Sequence, residues 1–235
     1  MAHNTLGNVL SQKRLLKEAI LAYQDAIRIK KDYANPHNGL GLALMSLGQL
    51  DEAIVEFREA IRIDKNRAAV HQNLGNALRQ KGQLEEAIAE FRAAVRLAPE
   101  NPATHNSLAW FLATCPDVKF RDPTEAVKSA KKAVELQSKA PYWNTLGVAQ
   151  YRAGNWNASV EALQNSMDLS KGGSADDWFF LAMAYWQQGD KEQARKWQDR
   201  ARAWMEKNKK ARENDKPHQA ELCHFQAEAA ELIRP

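Results

Sequence analysis

The sequence predicts an all-α protein: a solenoid of about six stacked helical hairpins followed by one terminal helix. Three observations carry this reading. Residues 34–67 and 68–101 are one thirty-four-residue segment written twice, agreeing at half of their positions, among them His37/His71, Leu40/Leu74, Gly41/Gly75, Ala53/Ala87, Phe57/Phe91 and Ala60/Ala94. A period of that length marks units that cannot bury an apolar face alone and therefore stack. Within each copy the apolar residues recur at spacings of three and four, first over residues 38–47 and again over 50–63, as two core-facing helical stripes require. The same frame then continues on both sides of the twin copies.

Taken in order, repeats fall at about 1–33, 34–67, 68–101, 102–139, 140–174 and 175–208, an array spanning 1–216, and residues 217–235 form a capping helix. In the first, Leu6, Gly7, Leu10, Ala19, Tyr23, Ala26 and Ile29 match the frame of the second. Counting back leaves that repeat short of its opening residue and without a polar cap, which predicts a segment of a longer protein. Gly48 and Gly82 stand at the turn between helices, where the left-handed region costs a glycine little. Gly41 and Gly75 lie inside a helix, where glycine costs about 1 kcal/mol against alanine, so a close approach by the partner helix is expected. Alanines such as Ala43, Ala53 and Ala60 serve the same approach.

The fourth repeat departs after Thr114, with a connection to Pro123 about five residues longer than its counterparts. Pro116 and Pro123 exclude helix through it, and Thr124 or Asp122 would cap the helix that follows. The fifth is framed by Trp143, Leu146, Gly147, Gly154 and Leu163; the sixth, after the flexible turn 171–177, by Trp178, Leu181, Tyr185, Gly189 and Ala194. Leu222, Phe225, Ala229, Leu232 and Ile233 give the last segment one apolar face with which to cap the sixth repeat.

These residues resemble the tetratricopeptide repeat (TPR) family. Its pattern of Trp, Leu-Gly and Tyr on a first helix, then Ala, Phe or Tyr, Ala and Pro on a second, is held in the third repeat by His71, Leu74, Gly75, Leu78, Ala87, Phe91, Ala94 and Pro99. The resemblance implies a right-handed α-α superhelix whose concave surface, lined by first helices, holds a peptide or a segment of a partner protein. The run 108–117, with Arg121 to Pro123 and residues 143–147, is also similar to regions of large bacterial multidomain proteins, some with serine/threonine kinase domains; no kinase signature occurs here.

On that geometry the groove-lining residues are Asn4, Asn8, Asn38, Asn73, Asn76, Arg79, Asn106, Trp110, Asn144, Tyr151, Arg152, Phe179, Met183 and Trp186. The amino-terminal half is rich in amides, each of which donates and accepts and so suits the backbone of an extended peptide. Asn73 and Asn76 equally match ordinary solvent-facing residues of the family. The carboxy-terminal half is aromatic, as at sites where binding energy concentrates; alternatively the terminal helix or the long loop folds back over it. The family's clamp for terminal carboxylates needs a lysine beside asparagines, and none accompanies Arg79 or Arg152.

Little argues for chemistry. His3, His37, His71 and His105 recur at one position, but successive copies lie about 10 Å apart, too far to share a metal bound near 2 Å; packing is the expected role. His218, Cys223 and His224 lack metal-site spacing. Asp51, Glu52, Glu85 and Glu86 begin second helices, where carboxylates suit the helix dipole. No nucleophile elbow, phosphate loop or zinc-protease signature occurs, so no enzyme activity and no cofactor are expected. With 33 basic and 29 acidic residues the net charge is +4, too diffuse for a nucleic-acid stripe. The basic run Arg200, Arg202, Lys207, Lys209, Lys210 and Arg212 is interleaved with Glu206, Glu213 and Asp215, as a solvated helix would be. The sequence shows no membrane span, and two cysteines a hundred residues apart suit a reducing, cytoplasmic compartment. The leading expectation is a protein-interaction scaffold. The alternatives are an array that self-associates through exposed repeat ends and, more remotely, a nucleic-acid-binding module.

Overall fold

A computed structural model describes residues 1–209 and 216–234. Thirteen α-helices occur among them, and they fall into two compact units, Met1–Pro99 and Glu100–Pro235. The first unit holds α1 (Ala2–Gln12), α2 (Leu16–Ile29), α3 (Ala34–Ser46), α4 (Leu50–Ile63), α5 (Ala68–Lys81) and α6 (Leu84–Leu97). Each odd-numbered helix pairs with the next as a hairpin, and each hairpin stacks on the one before it.

Small residues set the spacing inside each hairpin. A Cβ added at Gly41 would lie 2.6 Å from the Phe57 ring, and one at Gly75 would lie 3.0 Å from the Phe91 ring. The missing side chain is therefore the seat of the aromatic ring of the partner helix. Tyr23 goes further, its ring standing against both Gly7 of α1 and Gly39 of α3, where added Cβ atoms would come within 2.6 Å and 2.5 Å. One buried ring thus joins a hairpin internally and to its successor. Gly48 and Gly82 have φ of +78° and +80°, the left-handed conformation expected at these turns.

The second unit holds α7 (Pro102–Thr114), α8 (Pro123–Leu136), α9 (Ala140–Arg152), α10 (Trp156–Ser170), α11 (Ala175–Gln187), α12 (Lys191–Lys207) and α13 (Lys216–Leu232). The first six pair as hairpins and α13 packs along α11. The long connection after Thr114 contains one 3-10 turn, Val118–Phe120. This unit carries the side-chain caps that the regular repeats lack. Asn101 accepts from the Ala103 amide at 3.0 Å, Asp122 from Glu125 at 2.9 Å and Asp190 from Gln193 at 3.0 Å. Of the two cap candidates before α8, Asp122 is the cap. The turn at 171–177 ends in a reciprocal capping box, Ser174 with Asp177, which starts α11.

Candidate functional site

In the first unit the predicted amides of α1, α3 and α5 form local pairs. Asn73 donates to Asn38 Oδ1 at 2.9 Å across neighbouring repeats, and Tyr23 donates its hydroxyl proton to Asn8 Oδ1 at 2.9 Å. Asn38, Asn73, Asn76 and Arg79 are partly exposed and Asn8 is exposed. Asn4 is buried, with its Oδ1 unpartnered, so it is enclosed where an open groove position was expected.

The repeated histidines are half-buried or buried, as packing residues should be, but two have partners that the sequence reading missed. His37 Nδ1 lies 2.7 Å from Glu56 and His71 Nδ1 lies 2.6 Å from Glu90. The hydrogen bond each imidazole donates to its glutamate raises it above its ordinary value against the opposing effect of burial. A signal existed, since each glutamate follows its histidine by the same interval in both repeats. No group of three metal-ligating side chains occurs among the described residues.

In the second unit the predicted aromatic residues are half-buried at Trp110 and Trp186 and buried at Tyr151 and Phe179. Helix α11 is enclosed by α12, by α9 and α10, and by α13, so every residue from Ala175 to Ala184 is buried. Phe179 and Met183 are both 0% exposed. The expectation that they line an open groove is therefore corrected: they are core. Tyr151 is buried too, its ring 5.4 Å from that of Phe180, and burial first and then the Glu228 charge push its phenol up to about 12. Trp186 is half-buried beside Ala182, Ala194 and Ile233. Asn144 donates to Asp177 at 2.9 Å, and Asn106 has a buried, unpartnered Oδ1.

Helix α13 supplies the cover. Leu222, Phe225 and Ala229 are its buried face, and Ile233 just past its end is buried with them. Phe225 meets Phe180 edge-on at 4.9 Å between ring centres and Trp110 at 6.2 Å. Trp110 donates its indole N–H to Glu221 at 3.4 Å. Arg152 holds Glu228 through both terminal nitrogens, one of them at 2.7 Å, while its Nε donates to the Ala113 carbonyl at 3.1 Å. Arg121, fixed on the Cys115 carbonyl at 2.6 Å, has its guanidinium drawn below the ordinary value by burial and then by Arg152, yet remains charged. Near the start of α11, Asp176 Oδ2 lies 3.9 Å from His218 and its Oδ1 has no partner. Burial pushes that carboxyl up to about 6.

Models of the tetratricopeptide families match residues 7–48, 41–78 and 75–110 (TPR repeat) and 144–208 (Tetratricopeptide repeat). The chain belongs to the tetratricopeptide repeat family. Among solved structures it is similar to pilF of Pseudomonas aeruginosa, at 19% identity and a TM-score of 0.72, over 97% of this chain and 96% of that one. It is also similar to PilW, described as a type IV pilus biogenesis factor, at 16% identity, TM-score 0.73 and coverage of 86% and 91%. A third is YrrB, described as a TPR protein with an unusual peptide-binding site, at 22% identity, TM-score 0.61 and coverage of 88% and 98%. Identities this low establish the shared fold alone. No curated protein sequence matches the chain.

No helix among the described residues is long and apolar enough to cross a membrane. Cys115 is buried, Cys223 is exposed, and no disulfide joins them. Of the basic run and its interleaved acids, Lys210, Arg212, Glu213 and Asp215 lie outside the described residues.

Proposed function

We propose that this chain is a non-enzymatic scaffold that binds an extended segment of a partner protein along the first helices of its amino-terminal unit. The observation that carries the reading is the row of amides on α1, α3 and α5, partly exposed at Asn8, Asn38, Asn73 and Asn76, with Asn38 and Asn73 already bonded across the repeat boundary. Amides held in register by one another present donors and acceptors at repeating intervals, which suits a peptide backbone irrespective of its side chains. Arg79, at the end of the row, adds one positive charge. Peptides selected from a random displayed library on the intact chain are the test. They should lose at least tenfold in affinity on Asn76→Ala with Arg79→Ala. Equal binding by the variant would remove the amide surface as the site.

A self-associating array is favoured by a separate observation. Leu6 and Val9 of α1 are 49% and 43% exposed, whereas their counterparts Leu40 and Ala43 are 3% and 2% exposed beneath the preceding hairpin. A second copy covering that face would give a concentration-dependent mass in sedimentation, abolished by Leu6→Glu with Val9→Glu. The similarity of residues 108–117 to regions of large bacterial proteins supports reading the array as the interaction part of such a protein, and two unbridged cysteines fit a cytoplasmic setting.

A further inference from the structure

The surface buried under α13 has the make-up of a binding site. Trp110 and Phe180 meet the ring of Phe225, and Tyr151 backs Phe180, an aromatic cluster of the kind at which affinity concentrates. Beside it stands a guanidinium that does not depend on its carboxylate partner for position. Arg152 is held by the Ala113 carbonyl through Nε and lies over the rings of Tyr151 and Phe180, 5.5 Å and 5.2 Å from their centres. With Glu228 removed, the fork would still point outward with its two terminal nitrogens open to a carboxylate. A receptor oriented in advance loses less on binding than one that must be ordered.

The occupant is built as a ligand would be. Glu221, Phe225 and Glu228 lie four and then three residues apart, so they share one face of a helix, and all three meet the array. None of the six hairpins needs α13 to be complete: α11 already has α12 as its hairpin partner. In the docked state Asp176 is buried with one oxygen unpartnered, and a buried acceptor left unsatisfied is destabilising by about 1–3 kcal/mol. A helix offering a donor at that point would fit the surface better than α13 does.

We propose that the face of α7, α9 and α11 beneath α13 is a receptor for an amphipathic helix of a partner protein, one that carries an aromatic residue with a carboxylate four positions before it and another three positions after. Helix α13 is the chain's own copy of that ligand and holds the site closed until a partner helix exchanges with it. This rests on the reading that first-helix surfaces of the chain bind protein segments, but it concerns a different surface and a helical ligand in place of an extended one.

The test uses the full chain and a fluorescent peptide spanning residues 216–234. The wild-type chain, with its site filled, should bind the peptide at least tenfold more weakly than a chain carrying Phe225→Ala and Glu228→Gln, in which the covalently attached helix is released. Glu228→Arg, which sets like charges against Arg152, is a second release variant; all these changes lie in the departing helix and leave the hairpins unaltered. Adding Arg152→Met to either released chain should weaken the peptide by tenfold or more. The proposal is overturned if both released chains keep their helical circular dichroism yet bind no more tightly than wild type, or if Arg152→Met leaves the peptide affinity unchanged. Substitutions in the amide row of the first unit should not alter this exchange, so the two sites fail or stand separately.

Discussion

Gly41→Ala isolates the contact that sets hairpin spacing. In the middle of a helix, alanine is better than glycine by about 1 kcal/mol, so propensity alone predicts stabilisation. The structure predicts the reverse. The new methyl would sit 2.6 Å from Cε1 and 2.8 Å from Cδ1 of Phe57, and that ring is 0% exposed, so it has no free space into which to swing. Overpacking of this kind costs about 1–3 kcal/mol, which leaves a net loss of up to about 2 kcal/mol. At Gly75 the equivalent approach is 3.0 Å, and the loss should be smaller. Urea unfolding followed by circular dichroism measures both. In a Phe57→Leu background the obstructing ring edge is gone and Gly41→Ala should become neutral or stabilising, giving a coupling of about 1–3 kcal/mol in the double-mutant cycle. A stabilising Gly41→Ala in the wild-type background, or a cycle that closes to zero, would refute ring seating as the reason for the glycine.

Other outcomes follow from the same contacts. Because glutamate raises the folded-state values of His37 and His71, their contribution is fully present below about pH 6.5 and is lost as pH climbs through the raised values. Melting temperature should therefore fall between pH 6 and pH 9, and His37→Gln with His71→Gln should flatten that slope. Asp176 behaves differently: its carboxyl, raised to about 6 by burial, opposes folding as pH rises from about 4 through about 6, and the full difference is worth up to about 3 kcal/mol. With His218 attracting and Asp177 and Glu221 repelling its charge, Asp176→Asn should stabilise the chain at pH 8 and much less at pH 4.5, as thermal melts at both values would show. Asn101→Ala removes the α7 cap and should cost about 1 kcal/mol in the same urea assay; an unchanged midpoint would mean that water serves that amide equally well.

The fold was legible because its determinants repeat. Leu40, Gly41, Ala53, Phe57 and Ala60 state a spacing that their copies at Leu74, Gly75, Ala87, Phe91 and Ala94 confirm, and two copies suffice to separate signal from accident. The site was less legible because register assigns a residue to a helix face without saying what lies over that face. Phe179 and Met183 hold the same repeat positions as Asn38 and Leu42, yet the former are core and the latter reach solvent. The partners Glu56 and Glu90 could have been found by pairing repeated acids with repeated histidines. The Arg152 to Glu228 pair could not, since it joins residues seventy-six positions apart that occur once each.

By itself, then, the sequence determined the hairpin, its turn glycines, its small-residue contacts and the amphipathic character of the last segment, all of which are local or nearest-neighbour properties of a one-dimensional array. Only the tertiary structure decided where that last segment lies. An apolar stripe on a single helix is satisfied by any apolar surface it can reach, and what selects one surface is the joint fit of Phe225 between Trp110 and Phe180, and of Glu228 on Arg152, a match across four separate helices that no periodicity records.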